Sequence, residues 1–429
     1  MSNSQPRQRP LPHHTRRVAA LACTALASLL LTACSSHPVQ VPWLNFPVRV
    51  PGEQPSPSLG QGAVPTPVVN PSGQAAVPVL SIQQFIPIAK HFVEQHRGLT
   101  FKADVPVTLL DDAAFKERLL GKSSGGSGKT PSEQVSIASR ELKALHLIDK
   151  GVDLGAATDS LLGAGVSGFY DSKSKSLVVR GTSATPYVRQ VLVHELTHAV
   201  QDQYFGIDRP ALNAANDEQA SAFQAVFEGD AVRIEDQYHS AMSTAEQQQS
   251  DREAQAQGGG LPPGTPQVLL ELISFPYIVG PDFVRTLDQV GGQARVDDAF
   301  VHPPTTSAQL INVNRFLHGD GARPVPAPKA DAPSFDTSVL GEFGLVLLLE
   351  RTPGGSSSAA LRAGDLWGGD SYVAWNSGSG ACVRDNIVAD TPADQPQLDA
   401  AISAWATGVT GATFTAAHGG LPGQITACG

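Results

Sequence analysis

Two histidines and a glutamate lie within five residues of one another, in the run VLVHELTHAVQDQYF. At 3.6 residues per turn, positions i and i+4 of a helix lie one above the other, so His194 and His198 can aim ring nitrogens at one metal ion. Glu195 stands beside that pair, where its carboxylate can take a proton from a metal-bound water and return it to a leaving amine. This spacing predicts the chemistry of a zinc hydrolase, with one zinc ion per chain.

A tetrahedral catalytic zinc needs a third protein ligand, with its fourth position left to water. We predict that Glu228 is this ligand. It lies within residues 211–239, whose apolar spacing predicts a long helix, and an acid among small apolar side chains is costly to bury unless it is paired or binds a metal. Gly229 beside it costs helix stability and is usually kept where something must approach closely. Asp230 is a weaker rival, and a solvated Glu228 is the alternative.

The helix that carries the two histidines has clear ends. Thr185 can serve as N-cap, Pro186 suits the first helical position, and Gly206 can end the helix.

Other side chains can assist the metal ligands. Asp202, one turn after the second histidine, is a candidate to orient an imidazole, and Asp230 is a second candidate for this indirect role. Four downstream side chains can donate a hydrogen bond to a developing oxyanion, and the sequence does not choose among Tyr204, Tyr238, His239 and His302.

The elements around these residues predict an α+β fold, without the regular alternation of strand and helix that a parallel sheet needs. A hairpin made of VSGFY and SLVVRG precedes the histidine helix, and its edge can hold an extended peptide. We assign residues 80–245 to the catalytic core and residues 246–266, which are rich in Gln and Gly, to a polar linker. Residues 267–429 are predicted to be mainly helical, with a strand pair near WGGD, and to form the other side of the cleft.

Several motifs resemble those of known metallopeptidases. HELTHAV, followed by Asp202, resembles the active-site helix of thermolysin and its gluzincin relatives, whose third zinc ligand is a glutamate on the next helix. The wider chain is similar to a group of bacterial zincin-like proteins in six segments, which are Gly168 to Asp171, Leu177 to Gly181, the histidine helix, Glu228 to Ala231, Pro303 to Thr306 and Trp367 to Asp370. The resemblance implies a zincin-like metallopeptidase core, with His194, His198 and Glu228 as zinc ligands. It also implies that Glu195 is the catalytic base.

The N-terminus predicts a lipoprotein signal. Arg16 and Arg17 precede the apolar run VAALACTALASLLLTA, which ends before Cys34 and is too short to span a membrane as a helix. Cleavage before Cys34 removes residues 1–33, and acylation of the Cys34 thiol tethers the protein to a membrane, facing the extracytoplasmic side of the cell envelope. Residues 34–79, rich in Pro, Val, Gly and Ser, are predicted to be an extended tether.

The net charge argues against one class of partner, and the cysteine positions predict one disulfide. The chain carries 30 basic and 40 acidic residues, a formal net charge of −10, which argues against nucleic acid as a partner. Of the four cysteines, Cys23 leaves with the signal and Cys34 carries lipid. Cys382 and Cys428 remain as a pair outside the cytoplasm and are predicted to form a disulfide, with two free thiols as the less favoured alternative.

These observations favour a membrane-anchored, zinc-dependent peptidase that hydrolyses a peptide or protein substrate. Two alternatives stay open. The first is a zinc-binding envelope lipoprotein without proteolytic activity, which would tolerate Glu195→Gln. The second is an amidase or endopeptidase that attacks peptidoglycan stem peptides with the same metal chemistry.

Overall fold

The computed structural model describes residues 80–120, 131–257 and 262–429. Three predicted features lie outside the described residues, namely the signal peptide at 1–33, the lipidated Cys34 and the tether at 34–79. The described chain mixes helices with small sheets, which confirms the α+β class. One large apolar cluster contains buried side chains from Ile82 to Ala427, so both ends of the described chain contribute to the same core.

Three long helices surround the predicted metal site. They are α5 (Pro186–Phe205), α7 (Asp217–Ala241) and α9 (Gln267–Val301). The other helices of the described residues are α1 (Ile82–Arg97), α2 (Asp112–Leu120), α3 (Pro131–Ala144), α4 (Leu154–Gly165), α6 (Pro210–Ala215), α8 (Thr244–Gln257), α10 (Ser307–Ile311), α11 (Val313–His318), α12 (Gly341–Leu349), α13 (Ser357–Gly364) and α14 (Gln395–Gly408).

The strands of the described residues are β1 (Leu80–Ser81), β2 (Val107–Leu110), β3 (Gly168–Asp171), β4 (Ser176–Arg180), β5 (Ser183–Ala184), β6 (Ser334–Ser338), β7 (Trp367–Ser377), β8 (Gly380–Ala389), β9 (Ala412–Thr415) and β10 (Gly423–Cys428). β1 pairs with β5, and β4 lies between β2 and β3. β2 is parallel to β4 and β3 is antiparallel to it, so the predicted hairpin is β3–β4 and β3 forms an edge. The remaining strands form an antiparallel sheet in the order β6-β7-β8-β10-β9.

The histidine helix α5 begins and ends where the sequence predicts. The Thr185 hydroxyl accepts a hydrogen bond from the N–H of Val188, and Pro186 occupies the first turn. At the other end Gly206 takes a φ of 68°, which favours glycine, and its N–H donates to the carbonyl of Asp202. Residues 186–202 are buried because α1, α7, α8 and β3 pack around them. The polar side chains of α5 must therefore find partners inside the protein.

The helix predicted over residues 211–239 is two helices. Asn216 separates α6 from α7, with an extended backbone, and its side chain accepts a hydrogen bond from the N–H of Gln219 at 2.8 Å. Asparagine is a strong N-cap, so it starts a new helix rather than continuing the previous one. The predicted apolar stripe and Glu228 belong to α7.

Part of the predicted polar linker at 246–266 is a helix, because α8 extends through Gln257 and packs against α5. Its polar side chains are used for this contact. Arg189 forms an ion pair with Glu246 at 2.7 Å, and Glu253 accepts from the N–H of Tyr187 at 3.0 Å. Ser250 is fully buried and donates to Gln190. A polar composition thus marks a helix that pairs with polar groups of a core helix.

The C-terminal part contains more strand than predicted. The helices α9 to α14 are accompanied by the five-stranded sheet, in which β7 and β8 are the strand pair predicted near WGGD. Cys382 and Cys428 lie opposite each other on β8 and β10 and form a disulfide, which confirms the predicted pairing.

Among the described residues, α9 is the one helix that is long and apolar enough to cross a membrane. In its most apolar window 67% of the residues are buried inside the protein, as in a core helix. Its helical geometry is interrupted at Gly291 and Gly292. Length and composition alone are weak grounds for a membrane span, and the burial of this helix favours a packing role.

Candidate metal centre

The three predicted ligands converge in the core, on two helices that pack side by side. Nε2 of His194 and Nε2 of His198, both on α5, lie 3.0 Å apart. Oε2 of Glu228 on α7 lies 3.2 Å from each of these nitrogens. His194 and Glu228 are 0% exposed and His198 is 3% exposed. The donor atoms form a small triangle, which is an arrangement that can hold one metal ion.

The triangle has dimensions that suit a metal ion. Tetrahedral zinc with bonds of about 2.0–2.2 Å places its ligand atoms roughly 3.4 Å apart, close to the observed 3.0–3.2 Å. Two imidazoles and a carboxylate suit zinc and several other divalent ions. Burial raises the pKa of Glu228, but the adjacent His198 and His194 outweigh burial and hold that pKa below its ordinary value. An ionised carboxylate beside two imidazole nitrogens is a donor set suited to a divalent cation.

Glu195 lies beside the ligands and faces the hairpin. The backbone N–H of Tyr170 on β3 donates to Oε2 of Glu195 at 2.7 Å, so this point of the predicted peptide-binding edge already has an acceptor. Oε1 is buried and has no hydrogen-bond partner among the described residues. Burial raises the pKa of Glu195 to about 7, against the lowering influence of His194 and His198. A carboxylate with a pKa near neutrality and one free oxygen can exchange protons at neutral pH.

The imidazoles of His194 and His198 each have a partner at the second ring nitrogen. Nδ1 of His194 lies 3.0 Å from Oε2 of Glu235, and Nδ1 of His198 lies 2.9 Å from Oε1 of Gln201. Gln201 is itself fixed, because its amide donates to the carbonyl of Phe227 at 3.1 Å. With Nδ1–H as donor in both rings, each Nε2 keeps its lone pair for a metal ion.

Asp202 does not orient a ligating imidazole, so that prediction is wrong. Its Oδ2 accepts from the hydroxyl of Tyr170 at 2.8 Å and pairs with Nζ of Lys175 at 2.6 Å. Its Oδ1 accepts from the N–H of Ile207 at 3.2 Å. The side chain faces the hairpin and the end of its own helix, because those partners satisfy the whole carboxylate. Asp202 therefore ties β3–β4 to α5 and holds Tyr170 beside Glu195.

Asp230 does not supply a ligand atom, but it acts indirectly on His198. Its Oδ2 accepts from Gln201 at 2.9 Å and from the fully buried Arg97 at 2.5 Å, while its Oδ1 accepts from Arg233 at 2.7 Å. Burial opposes ionisation, but the two guanidiniums outweigh it and lower the pKa of Asp230. The charged Asp230 thus fixes the amide that orients the second imidazole.

The helix α9 reaches the site at a close crossing of two glycines. A Cβ placed on Gly229 would lie 2.2 Å from the carbonyl carbon of Gly280, so nothing larger than glycine fits there. This confirms the close approach that Gly229 predicts. One turn before Gly280, the hydroxyl of Tyr277 donates to Oε1 of Glu228 at 2.9 Å. Tyr277 could not be singled out from the sequence, because it lies on a helix that carries no recognised motif.

The four predicted oxyanion donors have contacts in other surroundings. Tyr204 shares a hydrogen bond with Thr100, and the ring of Tyr238 packs against Phe85. His239 pairs with Asp251, and His302 pairs with Asp298. None of these contacts involves a residue of the metal triangle.

Glu235 and Gln201, which contact the imidazoles, were not predicted, although sequence spacing could have found them. Glu235 follows Glu228 by seven residues, which is two helical turns, and Gln201 follows His198 by three.

The WGGD segment and Ser307, which directly follows the segment Pro303 to Thr306, lie at a buried junction near the start of α7. Glu218 accepts from the N–H and the hydroxyl of Ser307, both at 2.6 Å. Asp370 of WGGD accepts from three donors, the N–H groups of Leu340 and Gly341 and the indole of Trp367. Burial raises the pKa of Glu218 to about 7, with Ser307 opposing and Asp370 adding to the increase. Glu218, Ser307 and Asp370 therefore join α7 to α10, α12 and β7, and their contacts are structural.

A scan against protein-family models and searches of curated proteins and solved structures found no match to this chain. What the site can do therefore follows from its own residues.

Proposed function

We propose that this chain is a zinc-dependent peptidase of the cell envelope, in which His194, His198 and Glu228 hold one zinc ion and Glu195 is the general base and acid. The observation that carries the proposal is the convergence of three buried donor atoms within 3.0–3.2 Å, with Glu195 next to them. A zincin-like core and a lipid anchor on Cys34 belong to the same proposal.

Different residues would carry out different parts of the proposed hydrolysis. A bound zinc ion would acidify a water molecule and polarise the carbonyl of a scissile amide. Glu195 keeps Oε2 on the N–H of Tyr170, which leaves Oε1 to take the proton from the water and pass it to the leaving amine. Glu235 and Gln201 hold the imidazoles in the required tautomer, so Nε2 of each ring faces the ion.

A second candidate function is a metal-binding lipoprotein without hydrolase activity. The burial of the site favours it, because His194, Glu195, His198 and Glu228 are between 0% and 3% exposed. A substrate amide must reach the metal, and in this structure these side chains are closed to solvent. A purely structural metal centre would need no such access.

Metal content and hydrolysis can be measured together on the full-length chain. Elemental mass spectrometry should find close to one zinc per chain in the wild type, little in His194→Ala or Glu228→Ala, and an unchanged amount in Glu195→Gln. His96→Ala, which removes an exposed histidine at the end of α1, is the matched control and should keep its zinc. Cleavage of a mixed peptide library should fall about 10²–10⁴-fold in Glu195→Gln.

The outcomes separate the candidates. Absence of zinc from freshly purified wild type would remove the metal centre from consideration. Full hydrolysis by Glu195→Gln would exclude Glu195 as base. Zinc retained in the wild type with no cleavage of any peptide would support the non-hydrolytic function.

A further inference from the structure

The crossing of α7 and α9 holds two backbones in direct contact beside a predicted ligand. A Cβ on Gly229 would lie 2.2 Å from the carbonyl carbon of Gly280, and a Cβ on Gly280 would lie 2.3 Å from the carbonyl oxygen of Ala225. Two helices can approach so closely only where both lack side chains. Gly229 directly follows Glu228, so the position of α9 is fixed next to that carboxylate.

Tyr277 makes use of this fixed position. It precedes Gly280 by three residues, so both lie on the face of α9 that meets α7. Its hydroxyl donates to Oε1 of Glu228 at 2.9 Å, and the residue is only 7% exposed. The other oxygen, Oε2, lies 3.2 Å from both imidazole nitrogens. The two oxygens of Glu228 thus have separate partners, one on α9 and one in the metal triangle.

We propose that Tyr277 is a positioning residue that makes Glu228 a one-oxygen ligand. The proposal rests on the metal centre of the proposed function. A carboxylate can bind a metal through one oxygen or through both, and a hydrogen bond to Oε1 competes with the second mode. Binding through Oε2 alone leaves a coordination position open, which a catalytic metal needs for water. The metal centre is therefore built from α5, α7 and α9, although the ligand motifs mark α5 and α7 alone.

The test uses the full-length chain with Co²⁺ in place of the native ion, because the visible d–d absorption of Co²⁺ depends on its coordination number. Wild type should give an intense spectrum of low coordination number. Tyr277→Phe removes the hydrogen bond that competes with metal binding at Oε1, so the absorption should weaken and shift. Zinc affinity, measured by competition with a chelating dye, should fall about tenfold or more.

Tyr238→Phe is the matched control, since it removes the hydroxyl of a buried tyrosine of α7 that packs against Phe85 and Phe92. It should leave both readouts unchanged. Tyr277→Leu, checked for folding by circular dichroism, should repeat the spectral change if the hydroxyl is responsible. An unchanged spectrum and affinity in both Tyr277 variants would overturn this proposal while leaving the metal centre intact. Failure of the wild type to take up Co²⁺ or Zn²⁺ would overturn the metal centre and this proposal with it.

Discussion

His194 and Glu235 are neighbours in the core, with Nδ1 of the imidazole 3.0 Å from Oε2 of the carboxylate. Both residues are buried, and Nε2 of the same ring faces Glu228. A carboxylate behind a metal-ligating histidine fixes the tautomer and raises the basicity of the ligand nitrogen. In the proposed metal centre, α7 thus supplies a ligand and, two turns later, the group that orients a second ligand.

Glu235→Ala should therefore weaken zinc binding about 10–100-fold without removing a ligand. Glu235→Gln keeps an acceptor for Nδ1–H but no charge, so its loss should be smaller. Isothermal titration with Zn²⁺ checks both values. Asp236→Ala, at the adjacent exposed position, is the control and should bind zinc like the wild type. Equal affinities of Glu235→Ala and the control would show that His194 needs no orienting carboxylate.

The glycine crossing predicts a large effect from a single methyl group. Gly229→Ala places a Cβ 2.2 Å from the backbone of Gly280, and two backbones cannot give way as a flexible side chain can. We expect α7 and α9 to separate, with a loss of about 3 kcal/mol or more in the free energy of unfolding and a weaker metal site. Denaturant unfolding and zinc titration measure the two effects.

Gly163→Ala is the matched control for this substitution. Gly163 lies inside α4, and the nearest atom to its added Cβ is Cε of Lys116 at 3.9 Å, the end of a flexible side chain. Alanine favours helix over glycine by about 1 kcal/mol, so this variant should be as stable as the wild type or slightly more stable. A loss in Gly163→Ala equal to that in Gly229→Ala would remove the crossing as the cause.

The local features of the site were predictable from sequence because they depend on short spacings. Two histidines at i and i+4 must share a helix face, and Thr185, Pro186 and Gly206 mark helix ends through backbone chemistry that acts within one turn. Glu228 was recognisable because an acid in an apolar stretch needs a partner. The boundaries of α5 and the choice of His194, His198 and Glu228 as candidate ligands follow from such local rules.

Contacts between distant segments could not be predicted in the same way. Tyr277 meets Glu228 across 49 residues of sequence, and nothing in its own neighbourhood indicates that contact. Asp202 has the right spacing to orient His198 but turns to Tyr170 and Lys175, because the hairpin offers it stronger partners. Residues 244–257 form a helix because their polar side chains meet polar groups of α5, and a single sequence does not show which segments will pair.

Removal of the disulfide should lower the stability of the protein without changing the metal site. Cys382 and Cys428 close a loop with a sequence separation of 46 residues, which limits the unfolded chain and contributes about 2–4 kcal/mol. Cys428→Ser should lower the free energy of unfolding by that amount and leave zinc content unchanged. Reduction with dithiothreitol should destabilise the wild type equally and have no further effect on the variant. Equal stability of the oxidised wild type and the variant would show that the bond adds nothing.

The raised pKa of Glu218 predicts that part of the free energy of unfolding depends on pH. Burial raises its folded-state pKa to about 7, with Asp370 adding to the increase. The folded state then binds a proton more tightly than the unfolded state, whose glutamate titrates near pH 4.5. This contribution is fully present below about pH 4.5 and is lost as pH rises through about 7. Its size is on the order of 3 kcal/mol, because one pKa unit corresponds to about 1.4 kcal/mol.

Glu218→Gln isolates this contribution, because glutamine keeps an acceptor for Ser307 but does not titrate in this range. The free energy of unfolding, measured from pH 4 to 8 by denaturant titration, should fall with rising pH more steeply in the wild type than in the variant. All other carboxylates are common to both proteins, so their difference reports Glu218 together with its coupling to Asp370. Parallel pH profiles would mean that Glu218 stays ionised at the junction, and that Ser307 stabilises its charge more than burial disfavours it.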